Sequence, residues 1–257
     1  MRFVSYMTPG FPVPLFASMA GALGADLHLV TDRSGPDPAA DPFAAAHYDL
    51  GWICSTSYVG LALGTPEPSV ELAGVAWVPD DPDNGGRPVY FGDLVVRPDS
   101  RVDRLADLSG ARIGCNDHVS LSGHYALRWA AADAGLDPDS FAELVFTGGH
   151  HRSLDLLLAG ELDAVVVDSV VRSQRTRTDR PVADLRLVDR LGPWPTQPLV
   201  ARSGLDDSAV ARARQGLLAA ADQPPLAALL RASALTGLVE VDPDHYDPVR
   251  NRLLHLG

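Results

Sequence analysis

The sequence predicts an α/β fold with mostly parallel sheets, built as two lobes with a cleft between them. Three observations carry this prediction. Apolar strand-like runs alternate with helix-like segments along most of the 257 residues. From about residue 98 to 193 the chain holds a complete strand–helix series of its own, with further strands and helices on either side. It therefore leaves one lobe, builds another and returns, placing lobe one at 1–92 plus 196–257 and lobe two at 93–195. Between Val89 and Ser169, finally, each apolar strand opens through a short polar turn into a helix.

Taken in order, residues 2–7 read as a strand, and 12–24 as a helix entered through Pro12 and Pro14 and stopped at Gly24. A strand at 26–31 precedes a loop marked by Pro36, Pro38 and Pro42. The strand at 49–54 runs into Ser55-Thr56-Ser57, a polar triplet suited to capping the helix through Tyr58 to Leu63. Strands at 70–78 and 88–97 enclose the acidic, turn-rich loop from Pro79 to Gly86. Further strands fall at 111–115, 143–147, 163–168 and 197–202. Helices are expected at 121–135, 150–159, 207–220, 224–233 and 246–255.

Composition narrows the function. All 21 basic residues are arginine, which excludes a Schiff-base lysine and a P-loop lysine. A formal charge of -12 with no basic stripe argues against a nucleic-acid partner, since phosphate neutralisation needs one. The densest basic run, Arg172 to Arg180, alternates with Ser, Thr and Asp as a solvated helix face does. An acidic chain can still hold an anion locally through helix N-termini and backbone amides. No apolar run is long enough to span a bilayer, so membrane insertion is not expected. Residues 1–7 read as a strand and lack the regions of a secretory signal, which places the protein in the cytoplasm as an expectation. Cys54 and Cys115 each follow a strand-like run and read as buried thiols; their redox state is open. G-x-S-x-G, H-E-x-x-H, G-x-G-x-x-G and paired C-x-x-C motifs are all missing, so neither a metal nor a cofactor is expected.

Two turns carry groups suited to an anion: Ser120, Ser122 and Gly123 at one, Thr147, Gly148, Gly149 and His150 at the other. Serines at a helix start also serve as plain caps. The adjacent His150 and His151 point about 100° apart on a helix, so they do not share a metal ion, and His150 is the one expected in the site. Asp168 ends the buried run A-V-V-V, where a carboxylate either faces a cleft or caps the following helix. Asp117 and His118 form a possible acid/base or orienting pair in the turn before Ser120, with His124 one helical step beyond it. Trp52, Tyr58, Trp129 and Trp194 are core candidates, of which Trp52 and Trp194 flank the expected cleft segments.

The stretch Tyr90 to Ser100, the L-A-D-L-S-G run, the S-L-S-G turn and the F-T-G-G-H-H-R-S segment resemble the phosphonate/phosphite/phosphate solute-binding proteins of ABC transporters. D-L-G-W-I-C-S-T-S-Y early and W-P-T-Q-P-L-V-A-R late extend the resemblance over most of the chain. It implies the two-lobed type II periplasmic-binding-protein fold. It also implies that Ser120 and Ser122 belong to a turn that holds phosphonate oxygens, with Leu121 standing where a threonine hydroxyl is usual. His150, the strand-end Tyr90, and Ser55 or Ser57 correspond to further site positions of that family.

Two functional readings follow, both with a small carboxylate- or phosphonate-like anion as partner. In the first, the cytoplasmic expectation and the missing hydroxyl at Leu121 favour a cofactor-free enzyme on this scaffold. It would carry out an acid/base elimination, or an imine-type condensation or cyclisation such as a Pictet–Spengler closure, in specialised metabolism. His150 and Asp168, or His118 and His151, would move protons while Ser120, Ser122, Gly123, Tyr90, Ser55, Ser57, Thr147 and Trp52 bind substrate. The alternative is an ABC-transporter solute-binding protein for phosphonate, phosphite, phosphate or a related small anion.

Overall fold

The computed structural model describes residues 1–255, and the chain divides into two compact units. One comprises Met1–Val89 with the chain from Pro195 onward; the other is Tyr90–Trp194. The first opens with β1 (Arg2–Ser5), α1 (Val13–Leu23), β2 (Asp26–Leu29), β3 (Leu50–Trp52), the short α2 (Ser55–Tyr58) and β4 (Val70–Pro79). Then come β5 (Val89–Val96), β6 (Arg112–Cys115), α3 (Ala126–Asp133), β7 (Glu143–Phe146), α4 (His150–Leu158), β8 (Ala164–Asp168), α5 (Ser169–Thr176), α6 (Arg180–Ala183) and β9 (Arg186–Pro195). The return supplies β10 (Pro198–Arg202), α7 (Asp207–Ala221), α8 (Leu226–Ala232), β11 (Leu235–Glu240) and α9 (Asp247–His255).

Local chemistry accounts for many of these bounds. Proline stands in the first turn of α1, where a missing N–H costs nothing, and Gly24 ends the helix in the left-handed region at φ 57°. Asp206 caps α7 by accepting from the Ala209 N–H at 3.0 Å. The valines of β8 are buried without alternation because apolar layers cover both faces of that sheet. Leu94, Ile113, Leu127 and Val166 fill one side; Val95, Leu154, Leu157, Val165 and Val167 fill the other.

The six-stranded sheet has the order β11-β4-β10-β3-β1-β2, and the five-stranded sheet β7-β6-β8-β5-β9. The expectation of mostly parallel sheets is wrong: both are mixed. Where a helix or turn carries the chain over to the neighbouring strand, pairing is parallel, as β1 with β2 and β3, and β6 with β7 and β8. But β10, returning from the other unit, inserts antiparallel between β3 and β4, and β11 joins β4 antiparallel. In the other sheet β5 is antiparallel to β8. It is also antiparallel to β9, where Arg186 reaches Ser100, Arg190 reaches Asp93, and Gly192 lies against Tyr90. A rhythm of strands and helices says nothing of which neighbour a returning strand joins. Residues 186–195 and 235–240, for which the sequence predicts no strand, form β9 and β11. Cys54 and Cys115 are both buried thiols outside any disulfide among the described residues, and burial pushes the Cys115 thiol up to about 12. Among the described residues no helix is long and apolar enough to cross a membrane.

Candidate functional site

The strongest candidate lies in the unit Tyr90–Trp194, where β6 ends and the chain turns into α3. The expected helix from 121 does not begin as an α-helix. Leu121–Tyr125 forms a wide π turn, with the Tyr125 N–H donating to the Ser120 carbonyl at 3.1 Å. Ser120 caps this turn by accepting from the Gly123 N–H at 3.1 Å. Leu121 is fully buried and anchors the turn in the core. Ser122 is 2% exposed, and its hydroxyl makes no hydrogen bond among the described residues. The hydroxyl is not sealed in the core, so it is open to a ligand oxygen as partner.

Two glycines allow this turn to sit where it does. A Cβ on Gly92, in the middle of β5, would lie 2.6 Å from the Ser122 carbonyl oxygen. A Cβ on Gly123 would meet the Asn116 Cβ at 2.8 Å and the His150 Cε1 at 3.0 Å. The turn is therefore pressed between β5, the end of β6 and the start of α4, with side chains removed at both contacts.

His150 opens α4 with its imidazole buried. Its Nδ1 accepts from the Asp168 N–H at 3.4 Å, which leaves the proton on Nε2. Burial, reinforced by nearby His151, pushes its pKa down to about 3. His150 is thus a neutral hydrogen-bond donor at any physiological pH, not a group poised to exchange protons near neutrality. Asp168 is buried and its Oδ1 accepts from the Val170 and Val171 N–H groups at 2.8 and 3.3 Å. Of the two roles open to it, the carboxylate takes the cap of α5.

The other sequence candidates fall in different places. The Thr147 hydroxyl lies 3.1 Å from both the Cys115 and Gly149 carbonyls and 2.7 Å from Ser153 Oγ, so it closes the turn before α4. Tyr90 is buried near the start of β5. His118 is exposed, its ring 3.6 Å from that of Phe146, and its carbonyl accepts from His124 Nδ1 at 3.0 Å. His151 is half-buried, its carbonyl accepting from Arg175. Ser55, Ser57 and Trp52 belong to the other unit. Ser55 donates to the Pro195 carbonyl at 2.9 Å, whereas the buried Ser57 hydroxyl has no partner among the described residues. Trp52 is a core residue: fully buried, stacked on Trp77 at 4.7 Å, its indole N–H bonded to the Gln197 carbonyl at 2.9 Å. No group of three or more His, Cys, Asp or Glu among the described residues is placed to hold a metal ion.

Sequence reasoning missed Gly92 and Asn116. Gly92 did carry a signal, being a glycine inside the uniformly buried strand V-Y-F-G-D-L-V-V. Asn116 carried none. Its Nδ2 donates to Asp117 Oδ2 at 3.3 Å, and its Oδ1 is buried without a partner among the described residues.

A family model described as "ABC transporter, phosphonate, periplasmic substrate-binding protein" matches residues 13–246. The chain belongs to that family. Among solved structures, a binding protein component of an ABC phosphonate transporter from Pseudomonas aeruginosa is 17% identical, with a TM-score of 0.78, over 99% of this chain and 85% of its own. PhnD1 of Prochlorococcus marinus, in complex with methylphosphonate, is 16% identical with a TM-score of 0.77, over 100% of this chain and 97% of its own. A Xanthomonas citri protein bound to ATP is 16% identical with a TM-score of 0.71, over 99% and 97%. At such identities the likeness is one of fold.

Family membership overturns two expectations. The enzyme reading falls, and with it the catalytic roles given to His150, Asp168, His118 and His151: the family binds and delivers solutes, His150 is held neutral, and Asp168 is committed to a helix cap. The cytoplasmic placement falls too, because the family is periplasmic. A strand at Arg2–Ser5 reports what those residues fold into, not their compartment. The expectation of a small anionic partner stands with the family.

Proposed function

We propose that the protein captures a small oxyanion of the phosphonate class and releases it unchanged, as the substrate-binding component of an ABC transporter. The observation that carries this reading is Ser122, almost wholly buried yet with a hydroxyl that no described residue engages, in a π turn backed by a neutral imidazole. In this reading the Ser122 hydroxyl and His150 Nε2–H donate to the anion, together with N–H groups at the start of the turn. Neutral donors suit a ligand that must leave again. Ser120 shapes the turn through Gly123, Thr147 braces the start of α4, and Asp168 orients His150 through its backbone N–H. With Leu121 in the core, the turn offers one hydroxyl fewer than the family pattern, and the affinity falls accordingly.

Isothermal titration with methylphosphonate, phosphite, phosphate and ATP tests the proposal. One of the three small oxyanions is expected to bind saturably and to be recovered unaltered. Ser122→Ala should weaken that binding roughly ten- to hundredfold, the loss typical of a hydrogen bond to a charged group. Binding of ATP alone, or conversion of any ligand, overturns the reading.

A further inference from the structure

We infer that the unit formed by Met1–Val89 and the returning chain carries its own small-molecule site, one that takes an organic amine. A cavity of about 650 Å³ lies between the turn after α2, the first half of β4, α7 and the end of β11 with the segment following it. That is within the size range of ligand pockets, roughly 300–1,000 Å³. Two departures from regular backbone converge on it. The chain leaves α2 through a second π turn, Val59–Leu63, which puts Leu63 on one wall. On a neighbouring wall β4 bulges: Leu199 faces Val75 while Val200 faces Leu72, so Ala73 and Gly74 are extra. Gly74 sits at φ 81°, and the Ala73 carbonyl accepts from Arg214 Nε at 3.0 Å.

The polar groups fix the ligand class. Tyr58 is 1% exposed and lines the cavity, and its hydroxyl has no hydrogen-bond partner among the described residues. Its ring is held edge-on against Tyr246 at 4.9 Å, so the hydroxyl is a fixed polar atom in an otherwise apolar wall that includes Ala62, Leu63 and Leu72. Arg214 is the one cation of the lining among the described residues, and it is already committed to Glu240 at 2.7 Å and to the Ala73 carbonyl. Glu71 and Asp242 also line the cavity, and neither forms a salt bridge among the described residues. An anion entering this space meets the carboxylates of Glu71 and Asp242, the latter also accepting from the His245 N–H at 3.2 Å as a turn cap. A protonated amine meets complementary charge, the Tyr58 oxygen as acceptor, and apolar walls for its hydrocarbon body. This site rests on residues distinct from the Ser120–Gly123 turn and stands whether or not that turn binds a phosphonate.

Titration of the whole protein with butylamine, benzylamine and putrescine, against butyrate and butanol as matched controls, tests it. At least one amine is expected to bind saturably at or below millimolar concentration, with neither control doing so. Glu71→Gln, an exposed change that leaves the fold alone, should weaken amine binding about tenfold, and Tyr58→Phe should do the same. Ser122→Ala should leave amine binding unchanged. Absence of saturable amine binding, equal binding of butyrate, or undiminished affinity in Glu71→Gln overturns the proposal.

Discussion

His150 gains its role from what surrounds it rather than from its own titration. Its ordinary pKa is near 6.5, and burial takes it to about 3. As pH falls from about 6.5 towards 3, the unfolded chain takes up a proton at this position and the folded chain does not. Stability from this group is therefore complete above the unfolded pKa and is lost as pH falls, at about 1.4 kcal/mol per pH unit. Replacing it by Gln removes that slope. Urea unfolding of wild type and His150→Gln should show the largest difference at pH 7 and a smaller one at pH 4.5; parallel curves would sink the assignment. His124 and His245, whose pKa values burial also lowers, act alike in both proteins and cancel. At this scale the sequence made His150, Ser120 and Ser122 legible, because a histidine and serines at strand–helix turns are visible as types. It did not reveal that His150 is neutral or that Asp168 is a cap, since both depend on burial and on partners distant along the chain.

Around β5, α5 and β9 the packing depends on a charge cluster with no local sequence pattern. The Asp93 carboxylate, 2% exposed, accepts from Arg172 at 3.0 Å and Arg190 at 3.1 Å, and Arg190 also lies over the Phe91 ring at 4.1 Å. Burial raises the Asp93 pKa even against the pull of Arg190 and Arg172. The two arginines keep about a fifth of their side-chain surface in water, whereas the carboxylate keeps almost none. The asymmetry predicts unequal consequences. Asp93→Asn leaves cations that reach solvent and should cost no more than about 1–2 kcal/mol. Arg172→Ala with Arg190→Ala strands a buried carboxylate and should cost about 3–5 kcal/mol. Equal losses in urea unfolding would refute that account. The same distance in sequence hid the sheet directions. Helix and strand positions follow from local periodicity and caps, so most elements lay close to their expected bounds. Partners such as β10 with β3 and β4, or β9 with β5, are fixed only when the chain returns.

The chain leaves one unit and returns to it at neighbouring points, since the Thr196 N–H donates to the Pro88 carbonyl at 2.9 Å. The segment between these crossings begins and ends on adjacent strands, β5 and β9, at one side of its own five-stranded sheet. Apolar clusters cover both faces of that sheet, and the Asp93 cluster lies wholly inside the segment. Each condition for an autonomous folding unit is met: a core of its own, paired termini and a buried carboxylate, Asp93, whose arginine partners lie inside the segment. The excised segment 90–194 is therefore expected to fold alone. Its urea unfolding should be a single cooperative transition, with a slope of about 1–3 kcal/mol per molar denaturant. A gradual, non-cooperative loss of circular dichroism would show instead that the segment borrows its stability from the rest of the chain. If it does fold, the Ser120–Gly123 turn, Gly92, Asn116 and His150 are all assembled within it, because the close contacts that shape the turn come from β5, β8, α4 and the end of β6, all inside the segment. The geometry of the anion turn is then a property of this unit alone, and the His150→Gln difference in pH dependence should survive in the excised segment.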